Sequence, residues 1–384
     1  MQLLEGGTVV DAEGVLEEDV LIDGDTIQTV GDASDVAVDD RIDVSGQFVV
    51  PGMIDTHVHL MMDARPDAES VQGDNEATMA YRAAENLRKQ AEAGVTTTRD
   101  LGAAETLAID AREAVADGQI LGPRVQSVGR NVVMTGGHGH WFGREADGPH
   151  EVRKAVREQL KAGADAIKCM ATGGVLTTGA QTGAPELTPE ELEALVDTAH
   201  AAGARTAAHC HGTQGIKNAV RAGIDSVEHG TFMDEAAAEL MADRDTYWVP
   251  TLSALKGIVE NPDAGIPAEA VAKGEDAAQR MEAAWEFALD ADVPIAMGTD
   301  AGTPFNRHED AAQELAYMVD YGLDAEGALE AATINAAELL NLDDTGLVER
   351  GHRSDLLVLP ENPLEDVAAW QSPEQVYVAG EQVR

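Results

Sequence analysis

ADAIKCMATGG, Ala164 to Gly174, reads as a short buried strand, with Ala166, Ile167, Cys169 and Met170 apolar and Gly173 and Gly174 closing the run. At its centre stands Lys168. The chain has seven lysines against 70 acidic residues. The other six lysines lie in polar, helix-like or loop-like surroundings. An ammonium group inside an apolar strand is costly to bury, so Lys168 calls for a chemical explanation.

Working outward, the run is preceded by EVRKAVREQLKAG and followed by TPEELEALVDTAHAAG, both helical in pattern, and then by a second apolar run, ARTAAHCHG. The same rhythm fills the middle of the chain. Eight strand candidates occur in order: GMIDTHVHL, GVTTTRDLG, GPRVQSVG, ADAIKCMATGG, ARTAAHCHG, IDSVEHG, DTYWVPTL and PIAMGTDAG. Several follow a helical stretch that ends in glycine, as a helix C-cap does. Alternating strands and helices predict an α/β fold with a parallel sheet. Eight such units predict a closed (β/α)8 TIM barrel. The two ends differ from the middle. Residues 1–50 show apolar pairs broken by Ala-Glu-Gly and Asp-Gly-Asp, and the chain closes with RSDLLVLPENPLED and EQVYVAGEQV. This predicts a small sheet domain built from 1–50 plus 345–384 beside a barrel domain at 51–344.

Composition bounds the function. The 384 residues suit one large barrel with a small accessory domain. No apolar run approaches the length of a membrane span. The N-terminus lacks a basic region followed by an apolar core, so no secretory signal is expected. Two cysteines, Cys169 and Cys210, offer no disulfide framework and suit a reducing cytoplasm. The net charge of -44 argues against nucleic acid or an anionic membrane as partner and leaves a small-molecule substrate. A homo-oligomer stays open. The acidic residues are spread along the chain, and the 26 basic residues divide into nineteen arginines and seven lysines. This pattern resembles proteins of high-salt cytoplasms, where salt screens repulsion between surface carboxylates.

In a barrel, function collects at the C-terminal ends of the strands. His57 and His59 end the first strand, Lys168 lies in the fourth, His209 and His211 end the fifth, His229 the sixth and Asp300 the eighth. His138 and His140 sit in the glycine-rich loop TGGHGH after the third. His57 and His59 are two residues apart, so a strand turns both to one face, where they can share a metal such as zinc. Singly, each residue has an ordinary reading: a polar pair for His57 and His59, a strand-end residue for His229, a turn or N-cap residue for Asp300. Cys169 and Cys210 are expected to point away from the barrel axis and pack. Together the residues choose strand ends too consistently for the ordinary readings.

With these residues in view, the chain resembles the amidohydrolase superfamily, and within it the metal-dependent amidohydrolases similar to prolidase and imidazolonepropionase. The motifs run nearly end to end: VVPGMIDTHVHL, AGVTTTRDLG, TGGHG, IKCMATGGV, AAHCHG, GIDSVEHGT, VPTL, PIAMGTDAG, ATINAAELL and GHRSDLLVLPENPLED. The resemblance implies a (β/α)8 barrel with a small β-sandwich formed by both termini. It implies two divalent metal ions, zinc foremost, bridged by a carboxylated Lys168. His57, His59 and Asp300 would bind one ion, and His209 and His229 the other. The implied reaction is hydrolysis of an amide or peptide C–N bond in a dipeptide or N-acyl amino acid with a free carboxylate. A metal-activated water would attack, with Asp300 as general base and then acid. His138 would help polarise the carbonyl or hold the substrate, and His140 is a further substrate-binding candidate. His211 would contact substrate or support His209.

Three other readings are carried. One is ring opening of a cyclic amide, as in imidazolonepropionase. Another is a Schiff-base lyase using Lys168, which leaves four histidines and Asp300 unexplained. The last is a non-catalytic metal-binding protein. A mononuclear site also stays open. Arg99 and Asp100 are expected to form an ion pair under the site. Arg144, Tyr247 and Arg307 are candidates to hold an anionic substrate. His150, His200, His308 and His352 are expected at the surface.

Overall fold

In the computed structural model, which describes all 384 residues, the chain has a mixed α/β fold. Seven of the eight expected strands form: Met53–Val58, Val95–Asp100, Arg124–Ser127, Ala166–Met170, Arg205–Gly212, Ser226–Phe232 and Tyr247–Val249. All their pairings are parallel. The first three form one sheet and the last four lie in order in another. Helices such as Gly148–Ala162 and Pro189–His200 connect them. The local signals are those expected. Gly163, at φ 102°, ends the first of these helices, and a Thr188–Glu191 capping box opens the second.

The helices bury their apolar faces on the outside of the strands. The main cluster of 53 buried apolar residues includes Ile167, Cys169, Cys210, Trp248 and Trp285. Both cysteines therefore pack between sheet and helices. No helix is long and apolar enough to cross a membrane.

The eighth candidate departs from expectation. PIAMGTDAG forms no regular strand, only single bridges at Ile295 to Trp248 and at Ala301 to Val58. Its backbone still bonds to both neighbours: Ala296 N–H donates to Trp248 O at 3.0 Å, and Thr56 N–H to Met297 O at 3.0 Å. Two features break the ladder. Asp300 turns to φ 58°. Gly298 lies so close to the first strand that a Cβ there would sit 2.8 Å from the Cβ of His57. The departure brings the backbone against His57 and aims Asp300 inward.

Two further sheets come from the ends of the chain. One orders Thr26–Val30, Val20–Asp23, Gln2–Glu5 and Asp40–Asp43. The other interleaves the termini, setting Leu356–Leu359 antiparallel to Phe48–Pro51, which pairs in parallel with Thr8–Asp11. Leu4, Ile22, Val49, Leu356 and Tyr377 share one apolar cluster.

One buried carboxylate sets the helix Leu252–Val259, which presents Ala254, Leu255 and Ile258 to the central cavity. This helix has no side-chain cap of its own. Glu314 supplies it from a neighbouring helix, with Oε1 accepting Leu252 N–H and Oε2 accepting Ser253 N–H, each at 2.7 Å. A carboxylate there meets two unpaired amides and the positive end of the helix dipole. Glu314→Gln turns an amide NH2 toward one of these donors. Burial pushes the Glu314 carboxyl up to about 7, so at about pH 8 or above, where it is charged, the substitution is expected to cost about 2 kcal/mol in denaturant unfolding, and unchanged stability there would count against this capping role.

Candidate metal centre

The cavity, about 850 Å³ including its open mouth, lies at the C-terminal ends of the parallel strands. The first strand lends His57 and His59, the fourth Lys168, the fifth His209 and His211, the sixth His229, and the bent eighth segment Asp300. All seven are buried and all line the cavity. The imidazoles crowd together. Ring centroids are 5.5 Å apart for His57 and His59, 4.5 Å for His209 and His229, and 4.8 Å for His211 and His229.

Most of these rings are tied from behind. His57 Nδ1 bonds Glu228 Oε2 at 2.8 Å, His59 Nδ1 bonds Gly102 O at 2.9 Å, His211 Nδ1 meets Thr231 Oγ1 at 2.8 Å, and His229 Nδ1 meets Thr251 Oγ1 at 2.7 Å. A carbonyl can only accept, so His59 carries a proton on Nδ1; burial works against a second proton, but the Asp300 and Asp100 carboxylates outweigh it and raise this imidazole. The Glu228 carboxylate fixes His57 in the same way. The Nε2 atoms are thereby turned toward Asp300, whose Oδ1 lies 3.2 Å from His59 Nε2 and 3.4 Å from His57 Nε2.

These contacts lack hydrogen-bond alignment, and Asp300 Oδ1 and His209 Nε2 are buried without a partner. Buried polar atoms are rarely left so. An orphaned carboxylate oxygen beside imidazole lone pairs is a donor set fitted to a borderline divalent cation. Two groups have their donor atoms within 4.8 Å of one another: His57, His229 and Asp300, and His209, His211 and His229.

Electrostatics favour the same chemistry. Burial, with Lys168 adding to it, pushes His57 down to about 4, and burial pushes His211 down to about 4. Both are neutral, ligand-ready imidazoles at neutral pH. Burial lowers the Lys168 ammonium, with Glu228 pulling the other way. Burial would raise Asp300, but His57, His59 and Lys168 overcome it and favour the carboxylate.

The structure sorts the remaining expectations. His138 lines the cavity, its ring 4.4 Å from that of His209 and its Nδ1 2.7 Å from Thr177 Oγ1. It packs over Gly174, where a Cβ would sit 2.4 Å from the ring, so the ATGG run must be bare there. His140 is exposed, outside the cavity, and bonds Gly137 O. Arg99 does not pair with Asp100. It reaches Glu228 Oε1 at 3.3 Å, while Asp100 accepts backbone N–H groups of Leu60 and Gly102. Alternating side chains along the strand put the two residues on opposite faces.

Arg144, Tyr247 and Arg307 line no part of this cavity, and the first two bond Glu158 and Glu338. His308 is buried, with Nδ1 2.9 Å from Gln90 Nε2, and is no surface residue. Glu228 and Asp55 went unread as site residues. Asp55 ties the first strand to the eighth segment through Thr299 Oγ1 at 2.7 Å. The available signal was an acid inside each apolar run, MIDTHV and SVEHG.

Comparison with known proteins places this geometry. Residues 48–383 match the model of the amidohydrolase family. Ochratoxinase of Aspergillus niger is 32% identical over 360 residues, covering 85% of this chain and 73% of the relative. Imidazolonepropionase of Micrococcus luteus is 28% identical, covering 92% and 90%. A solved structure of a Xaa-Pro dipeptidase with methionine bound in its active site superposes with a TM-score of 0.93 at 33% identity, covering 99% of each chain.

The neutral imidazoles set a pH dependence. His211 titrates at about 4 when folded against 6.5 unfolded, so between these values the unfolded chain binds more protons. This contribution to stability is therefore present above about pH 6.5 and is lost as pH falls toward 4, by up to about 1.4 kcal/mol per pH unit for each such group. In chelator-treated protein, His211→Asn is expected to flatten the stability slope over that window by about this amount. A parallel slope would contradict it.

Proposed function

This chain belongs to the amidohydrolase family and is a hydrolase acting on carbon–nitrogen bonds; from that premise we propose that it cleaves the amide bond of a dipeptide or an N-acyl amino acid with a free carboxylate. One observation carries the reading. Five buried histidine rings, a carboxylate with an orphaned oxygen and a buried lysine converge on one cavity.

Lys168 is the residue most in need of this explanation. Burial favours its neutral amine, whose lone pair can add to carbon dioxide. Loss of a proton then leaves a carbamate, with one negative charge and two oxygens in place of a buried cation. Carboxylated Lys168 would bridge two divalent ions, zinc being the best match to imidazole and carboxylate donors. His57, His59 and Asp300 would hold one ion and His209 and His229 the other. His211 is close enough to join the second pair. Ions so held supply, when bound, a water of lowered pKa and polarisation of the substrate carbonyl.

The chain's own groups do the rest. Asp300, through the carboxylate oxygen not given to the ion, would take the proton of the attacking water and deliver it to the leaving nitrogen. His138 would offer its free ring nitrogen to the carbonyl oxygen or to the substrate carboxylate. Glu228 and Gly102 O keep the rings of His57 and His59 from turning. Trp141, Phe142 and Leu176 exclude water from the cavity wall.

The fold reading that accompanies this is a closed (β/α)8 barrel at 51–344 with a β-sandwich formed by 1–50 and 345–384. Bonds from the eighth segment to both neighbours, and the apolar cluster of the terminal strands, support it. The charge of -44 supports a protein of a high-salt cytoplasm.

The function is tested by offering metal-loaded protein a pool of dipeptides and N-acyl amino acids and measuring free amino acid. Release from one class supports the reading. Silence from protein carrying two metals per chain would sink this substrate class and favour a cyclic amide. Lys168→Ala is expected to lose metal, counted by elemental analysis, and activity, with partial return in a short-chain carboxylic acid; full activity without rescue would end the bridging role. The melting temperature is expected to climb steadily from dilute buffer to molar salt, since about 1 M salt shortens the screening length to about 3 Å. A flat profile would remove the high-salt reading.

A further inference from the structure

The cavity is chemically two-ended. Its floor holds the histidines, Lys168 and Asp300. Apart from these, one charged side chain lines it: Glu69, in the short 3-10 helix Ala68–Gly73 beyond the first strand. Glu69 is half-buried at the mouth. It has no ion pair, and the arginine nearest in sequence, Arg65, is already bound to Asp63 and Asp74. One of its oxygens accepts a long bond, 3.3 Å, from Thr178 N–H. The other is free. Between mouth and floor the wall is apolar, with Trp141, Phe142, Val175, Leu176, Ile258 and Met281. No arginine reaches it, and Lys168 is its one lysine.

An unpaired carboxylate at the rim of an apolar passage selects by charge. It repels an anion, gives nothing to a neutral group, and accepts charge-assisted hydrogen bonds from a cationic nitrogen whose carbon stem lies along the wall. The negative field of the whole chain works in the same direction.

We propose that Glu69 receives a cationic nitrogen of the substrate, either the free α-ammonium of an unblocked dipeptide or the head of a lysine or arginine side chain. This rests on the amide-hydrolase reading above and narrows it against N-acylated, uncharged substrates.

The test compares Leu-Leu with Nα-acetyl-Leu-Leu, and Nα-acetyl-Lys-Leu with Nα-acetyl-norleucyl-Leu, in the lowest salt that keeps the protein folded. At least one pair is expected to favour the cationic member by about tenfold or more in kcat/KM, carried by KM, and the pair that does so identifies the source of the cation. Glu69→Gln should bring that ratio near unity, whereas Glu69→Asp, which keeps the charge, should retain most of it. Equal rates within both wild-type pairs, or a preference that survives Glu69→Gln, would overturn the proposal while leaving amide hydrolysis intact.

Binding is read separately by calorimetry on the metal-loaded protein, with butylguanidinium and its neutral isostere butylurea. Tighter binding of the cation, abolished by Glu69→Gln, supports the proposal even if no peptide is cleaved, an outcome that would count against the hydrolytic reading alone. Equal binding of the two probes overturns it.

Discussion

The arrangement of the centre depends on one buried carboxylate, Glu228. Its Oε2 holds His57 Nδ1 at 2.8 Å, and its Oε1 accepts Ser226 Oγ–H at 2.6 Å and faces Arg99 at 3.3 Å. Burial alone would raise this carboxyl. Lys168, Arg99 and His57 overcome that and hold it at about 2. Arg99 is itself fully buried and donates through Nε to Thr56 O at 2.7 Å. The second, first and sixth strands are thus locked together beneath the histidines by charge. Burying two ions is expensive, and a buried pair adds little net stability over apolar packing. Its contribution here is orientation: it decides which nitrogen of His57 carries the proton, and so which one faces Asp300.

Three of the ten non-glycine residues with positive φ lie at the same level. His229, Thr251 and Asp300 have φ of 69°, 53° and 58°. Such angles are unfavourable for side chains with a Cβ, most of all for β-branched threonine, and cost about 1–3 kcal/mol each. These three touch the centre: His229 and Asp300 face the cavity, and Thr251 Oγ1 orients the His229 ring. A regular strand would send adjacent side chains to opposite faces. The left-handed turn at His229 lets both Glu228 and His229 serve the same site, one beneath and one within.

Much of the centre was legible because its signals are local. His57 and His59 announce themselves by spacing, and Lys168 by being a cation in an apolar run. The β/α rhythm is written in short segments with glycine caps such as Gly163. What escaped reading is non-local. Glu228 and Arg99 sit 129 residues apart, and neither strand reveals that the other lies beside it. Arg99 beside Asp100 looks like an ion pair until strand geometry separates them. His308 looks like a surface residue because its segment is polar, yet the fold closes over it. His140 follows His138 by two residues, but a turn, not a strand, joins them, so the spacing rule does not apply.

By itself, the sequence determined the alternation of strands and helices, the residues at the strand ends, the apolar character of the packing faces and the acidic charge, since each follows from periodicity or composition. Tertiary structure decided how those ends meet: which histidine nitrogens are tied back and which are turned inward, that the eighth segment bends at Asp300 instead of pairing as a strand, and that Glu69 is the one charged side chain lining the cavity apart from the histidine cluster, Lys168 and Asp300. These depend on contacts between segments far apart in the chain, where the distance between two groups, and not their order, sets the energy.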